Sequence, residues 1–140
     1  LEKTGMVVTI DIGEAYDIHP KNKQEVGARL ARLALADTYG KGKYDIPMYK
    51  SFKIEKGAVI LSFNQDIIIK GEIPTGFAIA GPDMKFYPAH AIVKGNMITV
   101  TSPDVTVPIA VRYGWADNPP CNLFGENGLP LTPFRTDSFE

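Results

Sequence analysis

The chain has 140 residues, a formal net charge of −1, 44% hydrophobic and 22% charged residues, which suits one ordinary globular core or a small domain joined to a piece of another. That near-neutral balance gives no electrostatic reason to expect nucleic acid or an anionic membrane as partner, and no run approaches the roughly 18 apolar residues of a membrane-spanning helix. Cys121 is the single cysteine, so no internal disulfide can form and cysteine usage is silent on compartment.

Met6 to Ile12 is nearly continuous in apolar residues, with Val7, Val8, Thr9 and Ile10 in a β-branched row. This predicts a strand buried on both faces of a parallel sheet, and such a strand needs neighbours. Asp11 to Pro20 is a polar loop holding Gly13, His19 and Pro20. Asn22 with Glu25 three residues later resembles a capping box. Val26, Leu30, Leu33 and Ala34 then recur at helical spacing, Glu25 and Arg29 stand one turn apart for an ion pair, and Gly40 occupies the expected C-terminal cap. A helix over Lys21 to Tyr39 follows.

The helical period stops at the connector Gly40-Lys41-Gly42-Lys43. Beyond it, β-type runs separated by turn residues predict strands at Tyr49 to Glu55, Ala58 to Asn64, Asp66 to Lys70, Gly76 to Ala80, Lys85 to Val93, Met97 to Thr101 and Ile109 to Ala116. Gly95-Asn96 is a hairpin turn. Val59, Leu61 and Phe63 alternate onto one face, as do Ile109, Val111, Tyr113 and Trp115. The tail from Asp117 to Glu140, rich in Pro, Asn and Gly, reads as extended chain laid over the strands. The expected fold is therefore mainly β, an antiparallel sandwich at residues 42–140 preceded by a strand-loop-helix at residues 1–41.

The chemistry concentrates in the loop. A histidine held where a strand ends and a helix begins, two residues after an aspartate, is what an ester hydrolase requires of its general base; these are His19 and Asp17. On local pattern alone, a His-Pro before a helix is more often a loop or capping residue. His90 has no nearby partner and reads as a surface strand residue. His19, His90 and Cys121 have no metal-ligand spacing, so no cofactor is expected. Trp115, Tyr113 and Phe77 offer either a sugar-stacking platform or sandwich core, and their alternation with small residues favours core. Arg112 reads as one half of a structural ion pair, and Cys121 as a small packing residue.

The run Tyr16-Asp17-Ile18-His19-Pro20-Lys21-Asn22-Lys23-Gln24-Glu25-Val26-Gly27, followed by Arg29-Leu30, resembles the C-terminal active-site block of the sialate O-acetylesterases, which are SGNH-type serine esterases. The likeness continues through Gly76 to Gly81, Val111 to Pro119, Gly128 to Pro130 and Pro133 to Asp137, and so covers nearly the whole chain. It implies that residues 1–41 are the last strand, loop and helix of a hydrolase domain and that residues 42–140 are an accessory β-sandwich. It further implies that His19 is the general base and that the substrate is O-acetylated sialic acid or a related acetylated sugar. Asp17 is the less direct assignment, because the usual spacing is Asp-x-x-His and Tyr16 stands where that aspartate falls. Either the Asp17 carboxylate orients the imidazole or a backbone carbonyl does, with Glu14 and Asp11 as further candidates.

Members of that family place the nucleophilic serine upstream of the histidine block. No serine precedes His19, and Ser51, Ser62, Ser102 and Ser138 all follow it without a glycine two positions before. The resemblance therefore implies a C-terminal portion, inactive alone, whose partner is the N-terminal catalytic part of the same protein. The family setting implies export to the periplasm or outside the cell. The unpaired strand Met6 to Ile12 is expected to self-associate, repack or disorder. The rival reading is a non-catalytic β-sandwich for glycan binding or interdomain packing.

Overall fold

The computed structural model describes residues 4–139. They divide into two compact units, Leu1–Ile46 and Pro47–Glu140. The second unit is mainly β, with antiparallel sheets.

The first unit holds the single helix found among the described residues, α1 (Lys23–Asp37). Its N-cap is Asn22, whose side-chain oxygen accepts the Glu25 N–H at 3.1 Å, half of the expected capping box. The other half does not form, because the Glu25 carboxylate is drawn to Arg29 at 2.9 Å. At the far end Gly40 takes φ 63° and the Lys41 N–H closes on the Leu35 carbonyl at 2.8 Å.

Met6 to Ile12 does not form the expected strand. With no neighbouring strand to receive its backbone groups, the segment lies against α1 instead. The Val8 carbonyl is taken by Arg29 at 2.6 Å, and the Ile12 N–H turns back onto the Thr9 carbonyl at 3.1 Å. A Cβ added at Gly5 would come within 2.7 Å of the Leu33 side chain, so the segment passes close over the helix.

The second unit contains β1 (Tyr49–Glu55), β2 (Ala58–Phe63), β3 (Ile68–Ile69), β4 (Phe77–Ala80), β5 (Phe86–Pro88), β6 (His90–Lys94), β7 (Met97–Thr101), β8 (Ala110–Tyr113), β9 (Leu123–Phe124) and β10 (Phe134–Arg135). One sheet runs β1-β2-β7-β6, a second runs β10-β8-β4-β5, and β3 pairs with β9. Every pairing is antiparallel. Val59, Leu61 and Phe63 of β2 point inward as their alternation predicts, and they join Ile79, Ile98, Val100, Val111 and Tyr113 in one cluster drawn from both four-stranded sheets.

Three departures from the sequence reading have local causes. The run Lys85 to Val93 is two strands, because Pro88 has no N–H for a continuous ladder and the chain passes from the second sheet to the first at Ala89. The run Ile109 to Ala116 ends at Tyr113, where Gly114 takes φ 63° and breaks the alternation, so Trp115 leaves the core face and is 52% exposed. The tail is not simply laid over the sheets. It supplies β9, β10 and the buried Leu123, Phe124, Leu129, Leu131 and Phe134. Phe134 stacks on Tyr49 at 4.8 Å and lies 5.7 and 5.8 Å from the rings of Phe63 and Tyr113, joining side chains of both sheets.

Gly76, just before β4, shows how little slack this core has. It holds φ 90°, and an added Cβ would fall 2.9 Å from the Cys121 sulfur and 3.3 Å from the Tyr113 ring. Gly76→Ala is expected to cost about 1–3 kcal/mol through strain and overpacking, read as a lower urea midpoint with an unchanged slope. An unchanged midpoint would contradict this packing.

Candidate functional site

The predicted site lies in the loop between the Met6–Ile12 segment and α1. His19 and Asp17 are both exposed. The structure brings them together through the backbone: the His19 N–H donates to Asp17 Oδ1 at 2.8 Å. This is a side-chain-to-backbone turn of the kind Asp makes two residues ahead of a donor. The Asp17 N–H in turn reaches the Glu14 carbonyl at 3.4 Å, so residues 14–19 form two successive tight turns. Among the described residues the imidazole has no hydrogen-bond partner, and the second Asp17 oxygen is also free.

Asp11, a further candidate partner for the ring, is committed elsewhere. Its two oxygens accept from Arg29 Nη1 and Nη2 at 2.7 and 2.8 Å, a bidentate pair. Arg29 also donates from Nε to Glu25 and from Nη1 to the Val8 carbonyl, and it is 2% exposed, the one fully buried side chain of α1. The Asp11 and Glu25 carboxylates hold its guanidinium well above the ordinary arginine range, against the opposing effect of burial. Arg29 thus ties the chain before the loop to the helix after it, and the His19 loop is strung between two anchored ends. The Glu25–Arg29 pair was legible from the i, i+4 spacing. The capture of Asp11 and Val8 was not, because it depends on where the preceding segment lies.

In the second unit, Arg112 forms the expected ion pair. Its Nε and Nη2 donate to Asp137 at 2.9 and 2.8 Å, and the Asp137 side chain is fully buried. Hydrogen bonding by Arg112, aided by the Phe139 N–H, holds the Asp137 carboxyl below the usual carboxylate range. Tyr113 and Phe77 are core residues, as their alternation implied, so no three-aromatic platform exists on that face. Burial pushes the Cys121 thiol up, consistent with a packing role. His90 is exposed on β6, and among the described residues no group of His, Cys, Asp and Glu could hold a metal ion.

No protein-family model and no curated protein matches the chain. Among solved structures, a crystal structure described as that of a novel carbohydrate acetylesterase from Xanthomonas citri superposes with a TM-score of 0.90 at 42% identity, over 95% of this chain. The chain is related to a carbohydrate esterase. It spans 32% of the length of that solved chain.

Proposed function

We propose that this chain is the C-terminal part of a carbohydrate O-acetylesterase that removes O-acetyl groups from sialic acid or a related sugar, with His19 as general base. The similarity to a carbohydrate acetylesterase over 95% of the chain carries this reading. The family resemblance of the Tyr16 to Leu30 block supplies the role of His19 and the sialic acid preference.

In the proposed reaction a serine hydroxyl from outside these residues attacks the acetyl carbonyl carbon while the His19 imidazole takes its proton. Collapse of the tetrahedral intermediate breaks the bond to the sugar oxygen, which receives that proton from the imidazolium. Water then attacks the acetyl-serine, again giving its proton to His19. Acetate leaves and the serine is restored. Asp17 acts as a positioning residue, fixing the loop through the His19 N–H, with Oδ2 still able to meet the ring once a substrate is bound.

Two observations support the need for further protein. The first unit contains no serine. It also exposes Met6, Tyr16, Ile18, Leu30 and Tyr39, an unusual apolar load for so small a unit and one that a larger hydrolase domain would cover. The same surface is the proposed seat of any self-association. By resemblance, the protein acts in the periplasm or outside the cell.

The test compares hydrolysis of an aryl acetate and of an O-acetylated sialic acid by the 140-residue chain and by a longer polypeptide carrying it behind a serine-bearing hydrolase segment. The chain alone should show no His19-dependent turnover. The longer protein should turn over, and His19→Ala should lower its kcat roughly 10⁴- to 10⁶-fold. Retained activity in that variant would remove His19 from the mechanism. Turnover by the short chain that vanished with His19→Ala would place a nucleophile within these residues.

A further inference from the structure

Trp115 is a large aromatic side chain that the strand pattern assigns to the core and the structure places at the surface, 52% exposed. It borders an open cleft of about 420 Å³ together with Phe86, Tyr87, Arg112, Asn118 and Pro119. That volume lies within the range of small-molecule sites. The walls are mainly aromatic and proline, and two polar groups reach the cleft. Arg112 lies over Phe86 with Cζ 4.0 Å from the ring centroid, while Asp137 engages its Nε and Nη2. Its Nη1 has no partner among the described residues, and neither has the exposed Asn118 amide. The indole is itself held in place, with the guanidinium carbons of Arg112 and Arg135 at 5.9 and 5.5 Å from its centroid.

We propose that this cleft binds one pyranose residue of a neutral oligosaccharide, stacked against Trp115 with ring hydroxyls accepting from Arg112 Nη1 and meeting the Asn118 amide. A pyranose presents an apolar C–H face and a rim of hydroxyls, and the cleft presents an aromatic surface beside two polar side chains. Asp137 takes Nε and Nη2 of Arg112 and is also 3.9 Å from Arg135, whose Nη1 donates to the Phe139 carbonyl, so Arg112 Nη1 is the donor left to a neutral hydroxyl, and an anion would compete with that buried carboxylate for Arg112. The choice of a sugar rests on the acetylated-carbohydrate reading above. The cleft itself uses neither His19 nor its loop, so binding can be measured without hydrolysis.

Trp115 is the only tryptophan, so intrinsic fluorescence reports on this cleft directly. The 140-residue chain is titrated with xylohexaose, cellohexaose and oligosialic acid. A saturable change with at least one neutral hexaose is expected, unaltered in His19→Ala. By calorimetry, Trp115→Ala should weaken that binding about tenfold or more, and Asn118→Ala, which removes an exposed side chain without a described partner, should weaken it severalfold. No saturable response to any of the three sugars overturns the proposal. A response to oligosialic acid alone overturns the neutral-sugar assignment, and binding unchanged in both variants moves the ligand out of this cleft.

Discussion

Replacing Arg29 by leucine is expected to unfold the first unit while leaving the β unit intact. The substitution leaves the Asp11 carboxylate, 11% exposed, without its bidentate partner, and strips the Val8 carbonyl of its donor. Removing one member of a buried pair costs about 3–5 kcal/mol, far more than an exposed pair is worth. The unit has little to set against that loss. α1 has 15 residues, near the lower limit for a helix stable by itself, and Leu30 and Leu35 on its surface remain substantially exposed. The measurement is ellipticity at the helical minimum, with hydrogen exchange at residues 8–12 and along α1. Both should collapse in Arg29→Leu. Asp11→Leu added to it should restore part of the signal, because an apolar pair no longer strands a charge. Helix content and protection unchanged in the single variant would show that Arg29 does not clamp the loop.

The second large effect is expected at Arg112. Arg112→Met leaves the fully buried Asp137 carboxylate with only the Phe139 N–H at 3.1 Å and a long contact to Arg135 at 3.9 Å. About 3 kcal/mol should be lost, or roughly 15 °C in Tm for a unit of this size. The pH dependence follows from the sign of the Asp137 shift. Its folded-state value is lowered, chiefly by Arg112, so its contribution is complete above the ordinary carboxylate range. That contribution drains away as pH falls from there through the lowered value. Wild-type protein should therefore lose stability on acidification in part through this carboxyl. In Arg112→Met that part of the acid limb should flatten or reverse, since burial then opposes the charge and the folded state takes up the proton at least as readily as the unfolded chain. Asp137→Asn should flatten that part of the acid limb, and parallel acid limbs in wild type and Asp137→Asn would exclude this pair as their source.

Much of the β unit was legible because strands carry a period of two that survives without tertiary information. Val59, Leu61 and Phe63 face inward, and the Gly95-Asn96 hairpin joins β6 to β7, from local pattern alone. Local pattern failed where one residue redirected the chain. Gly114 ends the alternation that would have buried Trp115, and Pro88 divides one apparent strand between two sheets. It also failed for the tail, whose Pro, Asn and Gly content describes irregular backbone correctly but hides that Leu123, Leu131 and Phe134 fill the core. For the candidate site, the motif around His19 was visible and its support was not. Asp11 and Glu14 were equal candidates in sequence, and only the position of Arg29 separates them.

By itself the sequence determined the helix with its Asn22 cap, the strand-rich character after the connector, and a histidine-bearing loop between them. These depend on capping chemistry, side-chain periodicity and turn residues, all of which act within a few positions. Tertiary structure alone decided that Met6 to Ile12 stays out of a sheet, that Arg29 adds Val8 and Asp11 to its Glu25 pair, and that Phe134 joins both sheets. Each of those outcomes depends on satisfying a backbone carbonyl, a charge or a ring with a partner, and for all but Glu25 that partner is distant in sequence. No local spacing encodes such a partner, since it is set by the packing of the folded chain.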